Sequence, residues 1–338
     1  MKLIINGKFL TQKKSGVQNF ALGIMDELIK IEPNIEILTP RSVHIEGIKT
    51  RSIGLLKGVL WEQISLPIYL LKQKDYLLIS LCNSAPLFST NNIVTIHDLA
   101  FEQPGQKWFT TKFTKWYKLL IPRIVRKAKL IFTVSNFSKT ELVKYYNIEA
   151  EKIMIIPNGY NEMPVIEGGR LDFKYVMLVS SNNPRKNANW VIENIDVITK
   201  NGYKLLVLNN PENSYQNVTI HATKSIIEYS YVSNEEYFKL LSNASAMIYP
   251  SLYEGFGIPI LESLSFGIPV VASNLAVFKE SFNELPIYFE LNNSNSFEKA
   301  ILEIKNKVID ANDIIKLRVK FNFEKSAKEI YKYISELR

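Results

Sequence analysis

The sequence predicts an α/β protein made of two doubly wound domains, each with a parallel sheet covered by helices. Short apolar runs bounded by turn residues are typical of strands buried on both faces. Between the first two runs of the second half, apolar residues recur at helical spacing from Ala188 to Ile198. The resulting strand–helix–strand order is the repeating unit of a doubly wound sheet. The runs of the second half are residues 176–179, 205–208, 246–249 and 269–272.

The first half of the chain shows the same alternation. Leu3–Ile5 is predicted as a strand, and Gly16–Ile31 as a helix with one apolar side. Further along, residues 93–96 and 130–134 are predicted as strands, and residues 136–146 as a helix. Both halves therefore predict the same architecture.

The chain is long enough for two domains, with 338 residues. The stretch 162–170 contains Pro164 and paired glycines, breaks both periodicities and is predicted as a linker. We expect an N-terminal domain over residues 1–163 and a C-terminal domain over 171–320. The last segment, 321–338, has helical periodicity with no strand to follow.

The composition excludes several classes of protein. Hydrophobic residues make up 46% of the chain and charged residues 22%, which excludes a disordered scaffold. Cys82 is the single cysteine of the sequence, so no intrachain disulfide is possible and a reducing compartment is favoured. Cys82 forms no zinc-ligand motif with His44, His97 or His221. No signal peptide or spanning helix is predicted, and a cytoplasmic location is expected.

The net charge of +8 is concentrated in the first half of the chain. Residues 1–170 hold 23 Lys and Arg against 14 Asp and Glu, whereas residues 171–338 hold 18 against 19. Residues 103–140 contain nine basic residues and no acidic one. This asymmetry indicates that the first domain meets an anionic partner.

The segment Glu254–Glu262 has the strongest indication of chemistry. It follows the apolar run 246–249, and Gly255 and Gly257 loosen the backbone where the next helix should begin. A helix N-terminus at the carboxyl end of a parallel strand is an anion-binding site. On spacing alone, Glu254 can equally be a partner of the helix dipole and Glu262 a solvated helix residue.

Residues 180–187 lie between a predicted strand and a predicted helix and contain Arg185 and Lys186. A lysine at such a junction can neutralise a diphosphate. The alternative, a surface charge beside a helix N-terminus, is unfavourable because cations there oppose the helix dipole.

Two further candidates lie in the first half. Gly16 opens the first predicted helix after a loop that follows the first strand. His97 and Asp98 come at the carboxyl end of the strand 93–96, where a histidine is either a site residue or a structural one.

Together these segments resemble the GT-B retaining glycosyltransferases of family four, which use nucleotide sugars. Glu254–Glu262 is similar to the family's E-x7-E motif. The resemblance extends over about residues 15–280 and includes the stretches 134–138 and 152–159. It implies two Rossmann-like domains facing across a cleft, with the acceptor in the first and the nucleotide sugar in the second. It also implies that the segment 321–338 packs back on the first domain.

The resemblance also implies a role for each matched residue. Glu254 contacts the donor hexose, Glu262 binds the ribose, and Lys186 binds the diphosphate, with Arg185 as a weaker candidate. Gly16 belongs to a loop that approaches the donor phosphates, and His97 faces the donor sugar. Asp98 orients His97, binds a sugar hydroxyl or acts as a base. The backbone amides after Glu254 meet the sugar and diphosphate, and belong to Gly255, Phe256, Gly257 and Ile258.

The implied function is retaining transfer of a hexose from a GDP-, UDP- or dTDP-linked sugar to a growing, lipid-linked glycan in surface polysaccharide biosynthesis of the O-antigen or capsule kind. The segments 61–63 and 97–99 resemble mannosyl- and rhamnosyltransferases. The sequence has no Asp-x-Asp metal motif, so metal-independent transfer with no cofactor is expected. Two alternatives are a nucleotide-sugar 2-epimerase on the same fold and a non-catalytic sugar-nucleotide binding module.

The basic segment 107–129 also contains aromatic residues at helical spacing. This pattern suits an interfacial helix on an anionic leaflet at the inner face of the cell membrane, or a lipid-acceptor surface. The alternative is an ordinary helix whose aromatic residues face the core. No nucleic-acid motif accompanies the segment, and no nucleic-acid partner is expected. The candidate face comprises Trp108, Lys112, Lys115, Trp116, Arg123 and Arg126.

Overall fold

The computed structural model describes residues 1–160, 168, 171–180, 183–209, 222–230 and 232–337. The chain divides into two compact units. The first unit contains residues 1–102, 115–161 and 321–338, and the second contains residues 103–114 and 162–320. The segment 103–114, which the predicted boundaries place in the N-terminal domain, therefore belongs to the second unit. Apart from Gly168, the predicted linker 162–170 lies outside the described residues.

The first unit is built on a seven-stranded parallel sheet of order β3-β2-β1-β4-β5-β6-β7. The order reverses between β1 and β4, which are directly paired through Ile4 and Leu78. The strands are β1 (Lys2–Asn6), β2 (Glu36–Thr39), β3 (Thr50–Ser52), β4 (Tyr76–Ser80), β5 (Asn92–Thr95), β6 (Leu130–Thr133) and β7 (Ile153–Ile155).

Five helices precede the last strand of the first sheet. They are α1 (Gly16–Ile31), α2 (Gly58–Leu60), α3 (Leu66–Leu70), α4 (Thr111–Lys127) and α5 (Asn136–Tyr146). A π-helical turn, Trp61–Ser65, joins α2 to α3, so residues 58–70 form one continuous helical segment. Burial of Trp61 and Leu66 at 0% exposure fixes this segment on the core. Short 3₁₀ turns lie at Gly7–Thr11, Ala100–Glu102 and Ala150–Lys152.

The second unit is built on a six-stranded parallel sheet of order β10-β9-β8-β11-β12-β13. Its helices are α6 (Ala188–Glu193), α7 (Ile195–Lys200), α8 (Asn234–Ser242), α9 (Ile258–Ser265), α10 (Ala276–Phe282), α11 (Ser294–Glu303) and α12 (Ala311–Lys320). Its strands are β8 (Tyr175–Ser180), β9 (Lys204–Asn209), β10 (Ile226–Ser230), β11 (Ala246–Tyr249), β12 (Val270–Ser273) and β13 (Ile287–Phe289). The helix predicted over residues 187–200 is two short helices, separated at Asn194.

The sheet order of the second unit places its candidate site. Strands β8 and β11 are paired in parallel through Val176 and Ala246, although β9 and β10 come between them in the chain. The order of the sheet reverses at this pair. The crevice outside the carboxyl ends of such a pair is where open α/β sheets bind ligands. The loops that follow β8 and β11 are the loops that contain Lys186 and Glu254.

The last helix, α13 (Phe323–Glu336), belongs to the first unit and packs on α1. Phe323 lies so close to Gly23 that a Cβ atom there would come within 2.6 Å of the ring, so glycine is required. The N–H of Tyr160 donates to the carbonyl of Phe321 at 2.7 Å. These contacts fix the N-terminal end of α13 to α1 and to the segment that follows β7.

Among the described residues, no helix combines the length and apolar character that crossing a bilayer requires.

Candidate functional site

The candidate site of the second unit begins with the loop after β8. A 3₁₀ turn, Pro184–Lys186, follows the strand, and Asn183 caps it by accepting the Arg185 N–H on Oδ1 at 3.0 Å. Asn187 has a positive φ of 56°, which ends the turn and starts α6. Asparagine tolerates this left-handed conformation better than most residues. The turn therefore presents Arg185 and Lys186 at the carboxyl edge of the sheet.

Glu254 lies at the centre of the site and is almost fully buried, with 7% exposure. Its Oε2 pairs with the Arg185 guanidinium at 2.8 Å, and its Oε1 accepts from Lys186 Nζ at 2.6 Å. Arg185 also donates to the carbonyl oxygen of Tyr253. Ser251 donates to Oε1 at 2.8 Å. The carboxylate is thus held by two cations from the β8 loop and by a hydroxyl from its own loop.

The charges around Glu254 decide its protonation state. Burial alone would raise its pKa, but Arg185 and Lys186 outweigh burial and lower the pKa to about 2. Glu254 is therefore ionised across the physiological pH range. Two cations and one carboxylate leave this cluster with one net positive charge, which is the electrostatic requirement of an anion site.

Tyr249, the last residue of β11, completes the cluster. Its hydroxyl accepts from Lys186 Nζ at 2.6 Å and donates to Glu254 Oε1 at 3.1 Å. Burial and the nearby Glu254 raise the pKa of Tyr249 well above its ordinary value, so the hydroxyl keeps its proton. Lys186 Nζ also lies 4.7 Å from the centroid of the Tyr249 ring, within cation–π range. Tyr249 therefore fixes the position of Lys186.

The glycine loop after Glu254 leads directly into α9. Gly257 is the N-cap residue and has a φ of 111°, a conformation that glycine adopts without strain. A Cβ atom at this position would also come within 3.0 Å of the Phe278 ring. Gly255 and Phe256 are buried, and Ile258 is the first residue of α9. The loop therefore aims the first amides of α9 toward the carboxyl edge of the sheet.

Glu262 lies about one and a half turns into α9 and is partly buried. Its Oε2 accepts the hydroxyl of Tyr237 from α8 at 2.7 Å. Burial raises the pKa of Glu262 to about 7, and the Tyr237 hydrogen bond opposes this shift. The two glutamates of one motif thus have pKa values displaced in opposite directions, because two cations outweigh the burial of Glu254, whereas only the Tyr237 hydroxyl opposes the effect of burial on Glu262.

The raised pKa of Glu262 predicts a pH dependence of stability. A folded-state pKa above the ordinary value of 4.5 means that the folded chain holds the proton longer than the unfolded chain. The resulting stabilisation is fully present below pH ~4.5 and is lost as the pH rises to about 7. We expect the free energy of unfolding of wild type to fall relative to Glu262→Gln by on the order of 2 kcal/mol across this window. Denaturant unfolding at several pH values measures this difference, and parallel curves for the two proteins would contradict it.

The first-half candidates Gly16, His97 and Asp98 lie in the first unit. Gly16 is exposed and is the first residue of α1. His97 is buried, with Nε2 3.0 Å from the Leu81 carbonyl oxygen and its ring edge-on to Phe20. Burial lowers the pKa of His97, while the Leu81 carbonyl and Asp98 oppose the shift. The imidazole is therefore neutral at pH 7.

Asp98 uses one carboxylate oxygen locally. Its Oδ1 accepts the Ala100 N–H at 3.0 Å, at the start of the 3₁₀ turn. The His97 ring contacts the Leu81 carbonyl oxygen and the Phe20 ring. In the described part of the chain no hydrogen bond joins Asp98 to His97, so the first of the three roles that the resemblance allows Asp98, orienting His97, has no hydrogen bond to support it.

A buried charged network at the carboxyl edge of the first sheet was not predicted from the sequence. Lys8 Nζ donates to Glu62 Oε2 at 2.6 Å and to Ser84 Oγ at 2.7 Å. Asn6 and Ser84 both donate to Glu62 Oε1, at 2.8 and 2.9 Å. The exposure of Lys8 is 7% and that of Glu62 is 1%. Only the placement of Asn6 at the end of β1 and of Ser84 after β4 could have indicated this network.

The predicted membrane or acceptor face around α4 is only partly at the surface. Lys112, Lys115, Arg123 and Arg126 are exposed, and Trp116 is partly buried. The prediction that Trp108 belongs to this exposed face is wrong, because Trp108 is only 5% exposed and its ring lies 6.1 Å from the Tyr253 ring. A tryptophan buried in this way cannot insert into a bilayer. The surface of α4 is therefore cationic, and its aromatic rings mostly face the protein.

The other aromatic residues of this segment make the same point. Phe109 stacks on Phe113 at 4.9 Å, and Tyr117 packs edge-on against Phe101 at 5.5 Å. Leu120 is 1% exposed. Helical spacing of aromatic residues here therefore marks a packed side rather than a lipid-facing side.

The part of the chain that the structure describes contains no group of three or more His, Cys, Asp or Glu side chains arranged to hold a metal ion.

Two parallel-sheet, Rossmann-like units are the architecture of the GT-B class of folds. Solved structures of this class match nearly the whole chain. Sucrose-phosphate synthase from Thermosynechococcus elongatus matches 100% of this chain and 99% of its own, with a TM-score of 0.75 and 14% identity. Anabaena HepE in complex with UDP-glucose matches 99% of this chain and 100% of its own, with a TM-score of 0.73 and 14% identity. At these identities the likeness shows the fold.

The chain belongs to the family-four glycosyltransferases. The family model for Glycosyltransferase Family 4 matches residues 37–162, and the model for Glycosyl transferases group 1 matches residues 159–318. The fold class and the family predicted from the sequence are therefore confirmed.

Two curated relatives are named as O-antigen chain mannosyltransferases. The O-antigen chain mannosyltransferase RfbU of Salmonella typhimurium is 30% identical over 64% of this chain and 61% of its own length. The O-antigen chain mannosyltransferase B of Escherichia coli is 28% identical over 62% of this chain and 60% of its own. The chain thus spans about 60% of the length of these relatives.

Proposed function

We propose that this chain is a retaining glycosyltransferase that moves a hexose from a nucleotide sugar to a growing glycan in surface polysaccharide biosynthesis. One observation carries the proposal: at the switch point of the second sheet, the Glu254 carboxylate is bound by Arg185 and Lys186 beside a glycine loop that opens α9. This arrangement combines a fixed carboxylate for a sugar with cations and helix amides for a diphosphate.

The donor diphosphate is the first ligand that this site suits. The cluster of Arg185, Lys186 and Glu254 has one net positive charge, and the amides of the glycine loop and α9 add hydrogen-bond donors without charge. When the sugar–phosphate bond breaks, negative charge grows on the departing diphosphate. Lys186 and the helix amides would stabilise that charge in the transition state.

Glu254 suits a positioning and electrostatic role better than nucleophilic attack. Its Oε1 and Oε2 are both paired with cations, which lowers the nucleophilicity of the carboxylate. With a pKa of about 2, it also has no proton to give near neutral pH. Retention then requires that the acceptor hydroxyl attack from the face that the diphosphate leaves, and the donor phosphate can take the acceptor's proton. Glu254 would bind a hexose hydroxyl and favour positive charge on the sugar ring.

Glu262 is proposed to bind the ribose of the nucleotide. Tyr237 occupies its Oε2, and within the described residues Oε1 accepts no hydrogen bond. A ribose diol donates well to a carboxylate, so the free oxygen of Glu262 is the expected acceptor.

The acceptor and the sugar are proposed from the sequence resemblance and from the relatives. Two of them are named as O-antigen chain mannosyltransferases, which supports mannose as the hexose. A rhamnose-type hexose and a lipid-linked glycan acceptor are proposed from the sequence resemblance. The Gly16 loop of the first unit is proposed to approach the donor phosphates and His97 to face the donor sugar, while Asp98 is proposed to bind a sugar hydroxyl or act as a base. We propose peripheral attachment to the inner face of the cell membrane for access to such an acceptor.

Transfer is proposed to be independent of a metal ion. The sequence lacks Asp-x-Asp, and Arg185 and Lys186 supply the positive charge that a divalent ion would otherwise bring.

A nucleotide panel followed by a transfer assay tests the proposal. We expect one base class among the UDP, GDP, dTDP and ADP forms to raise the melting temperature, and the matching sugar nucleotide to donate to an undecaprenyl-linked acceptor in excess EDTA. Anomeric analysis of the product should show retention. Conversion of the donor to its 2-epimer without acceptor would contradict transfer, and so would nucleotide binding without any product. Loss of activity in EDTA that Mg²⁺ restores would contradict metal independence alone.

A further inference from the structure

The helical segment 58–71, made of α2, the π-helical turn, α3 and Leu71, has an unusual exposed side. From Val59 to Leu71, every exposed side chain is apolar. We call these five residues the apolar stripe. They are Val59 (45% exposed), Leu60 (58%), Ile64 (44%), Ile68 (54%) and Leu71 (85%).

The stripe is held in place by the opposite side of the same segment. Trp61 is fully buried, and its indole N–H donates to the Ile53 carbonyl at 2.7 Å. Leu60, Ile64 and Ile68 recur every four residues, so they lie along one side of the helix, over roughly 16 Å to Leu71. The stripe is therefore a fixed ridge on the surface of the first unit.

An exposed helix side in a water-soluble unit ordinarily carries charged residues between its apolar ones. Helix α12 of this chain shows that ordinary pattern. Its exposed Ile315 and Val319 alternate with exposed Lys316, Arg318 and Lys320. The apolar stripe lacks such interruptions, so hydration of its five side chains is a cost that a partner would remove.

The charges that flank the stripe indicate the chemistry of that partner. Lys57 precedes it, and Lys72 and Lys74 follow it, all three exposed. The single acidic residue between Leu55 and Lys74 is Glu62, which is 1% exposed and paired with Lys8. Asp75, the next acid, pairs with the N-terminal amine at 2.9 Å. Every fully exposed side chain of the segment 55–74 is therefore apolar or positively charged.

A neighbouring loop extends the same surface. Gln63 accepts the Leu87 N–H at 3.0 Å and donates to the Ala85 carbonyl at 3.0 Å, which ties the loop to the helix. This loop carries Phe88, which is 77% exposed. Lys127 Nζ lies 5.0 Å from the Phe88 ring centroid. An exposed aromatic ring with a lysine over it repeats the apolar and basic character of the stripe.

We propose that the apolar stripe and its flanking lysines insert into and bind an anionic phospholipid leaflet. This surface would bring the enzyme to a lipid-linked acceptor, so its purpose rests on the proposed transferase function. Apolar side chains in a row with cations at both ends suit a helix lying in the plane of a bilayer, with its lysines at the headgroups. A second copy of this chain suits the surface less well, because a two-fold contact would bring like charges together. In this proposal the apolar stripe makes the contact with lipid that the sequence pattern predicted for the aromatic residues of α4.

Sedimentation with vesicles tests the surface directly. The vesicles contain phosphatidylcholine with about a quarter phosphatidylglycerol, in roughly 150 mM salt. We expect Ile64→Ser/Ile68→Ser to weaken binding at least about tenfold, since two apolar side chains no longer enter the leaflet. Ile315→Ser/Val319→Ser, which removes two similar side chains from α12, is the matched control and should bind like wild type. Lys57→Gln/Lys72→Gln/Lys74→Gln should also weaken binding at least about tenfold and abolish its salt dependence.

The possible outcomes distinguish a failure of the proposed membrane surface from a failure of the proposed transferase function. All variants should keep the nucleotide-induced rise in melting temperature, which also shows that they fold. Equal binding of wild type and the Ile64/Ile68 variant, or equal binding to pure phosphatidylcholine at every salt concentration, would overturn the proposal. Self-association that the Ile64/Ile68 variant abolishes, without vesicle binding, would show a contact between copies instead. Vesicle binding with no nucleotide effect would leave the surface in place and refute the transferase.

Discussion

Glu254→Gln is expected to abolish most of the transfer while leaving nucleotide binding intact. Glutamine keeps the size of the side chain but removes the charge that would oppose positive charge on the sugar ring. We expect kcat to fall at least about 100-fold, or ~3 kcal/mol in the barrier. The affinity for the nucleoside diphosphate should stay equal or rise, because Arg185 and Lys186 lose the carboxylate that partly neutralises them. Steady-state transfer and calorimetric titration of the same preparation measure both effects.

Ser251→Ala is the matched control for this substitution. It removes the 2.8 Å hydrogen bond to the same carboxylate without changing a charge. Its effect on kcat should stay below about tenfold. Transfer by Glu254→Gln within tenfold of wild type would refute the assigned role, and joint loss of nucleotide binding would indicate a folding defect. Melting temperatures are needed for both variants, because removing one partner of a buried ion pair costs about 3–5 kcal/mol.

Lys186→Met should have the opposite effect to Glu254→Gln, because its primary defect should be weaker binding of the nucleoside diphosphate. Methionine keeps much of the apolar stem over Tyr249 but lacks the ammonium group. We expect affinity for the nucleoside diphosphate to fall about 10- to 100-fold, as for loss of a charge-assisted contact. Affinity for the nucleoside should be unchanged, so the preference for diphosphate over nucleoside should shrink by the same factor.

Lys204→Met provides the charge-matched control. Lys204 begins β9 at the opposite, amino edge of the same sheet, with its Nζ 4.4 Å from the Phe173 ring centroid. The Lys204→Met substitution removes one positive charge from the second unit without changing the candidate site. Equal losses in the two variants would show a general charge effect, and an unchanged diphosphate affinity in Lys186→Met would refute the contact.

The fold was predictable because parallel strands buried on both faces leave unbroken apolar runs. The predicted helices 16–31 and 136–146 coincide with α1 and α5, and the run 246–249 coincides with β11. The short edge strand β3, with the sequence Thr-Arg-Ser, has no such run and was not predicted. The break at Asn194 was missed because apolar periodicity continues through it.

The candidate site was predictable only where its residues are close in sequence. Glu254, Glu262 and Lys186 lie in short segments that resemble motifs of the family. Lys186 comes from the loop after β8 and Tyr237 from α8, and only the sheet order and the helix packing bring them to Glu254 and Glu262. Pairings of this kind depend on tertiary register, which local patterns do not encode.

The surface shows a different limit of sequence reasoning. Aromatic residues among lysines in the segment 107–129 predicted a lipid-facing helix, yet Trp108 is buried. The stripe of helix 58–71 was missed because Leu, Ile and Val suit a core and a bilayer equally well. Only the exposure of each side chain distinguishes the two.

The path of the chain through the two units has a consequence for how the protein folds while it is being translated. Phe323 packs beside Gly23 and Gly159, so the first unit is closed by residues that are about 300 positions apart. During translation, α1 leaves the ribosome early but lacks its packing partner until residues 321–337 have followed. The sheet of the second unit, β8 to β13, is contiguous in the chain and can fold in the interval. The unit whose sheet is synthesised first is therefore the one completed last, and α1 lacks its contact with α13 for most of translation.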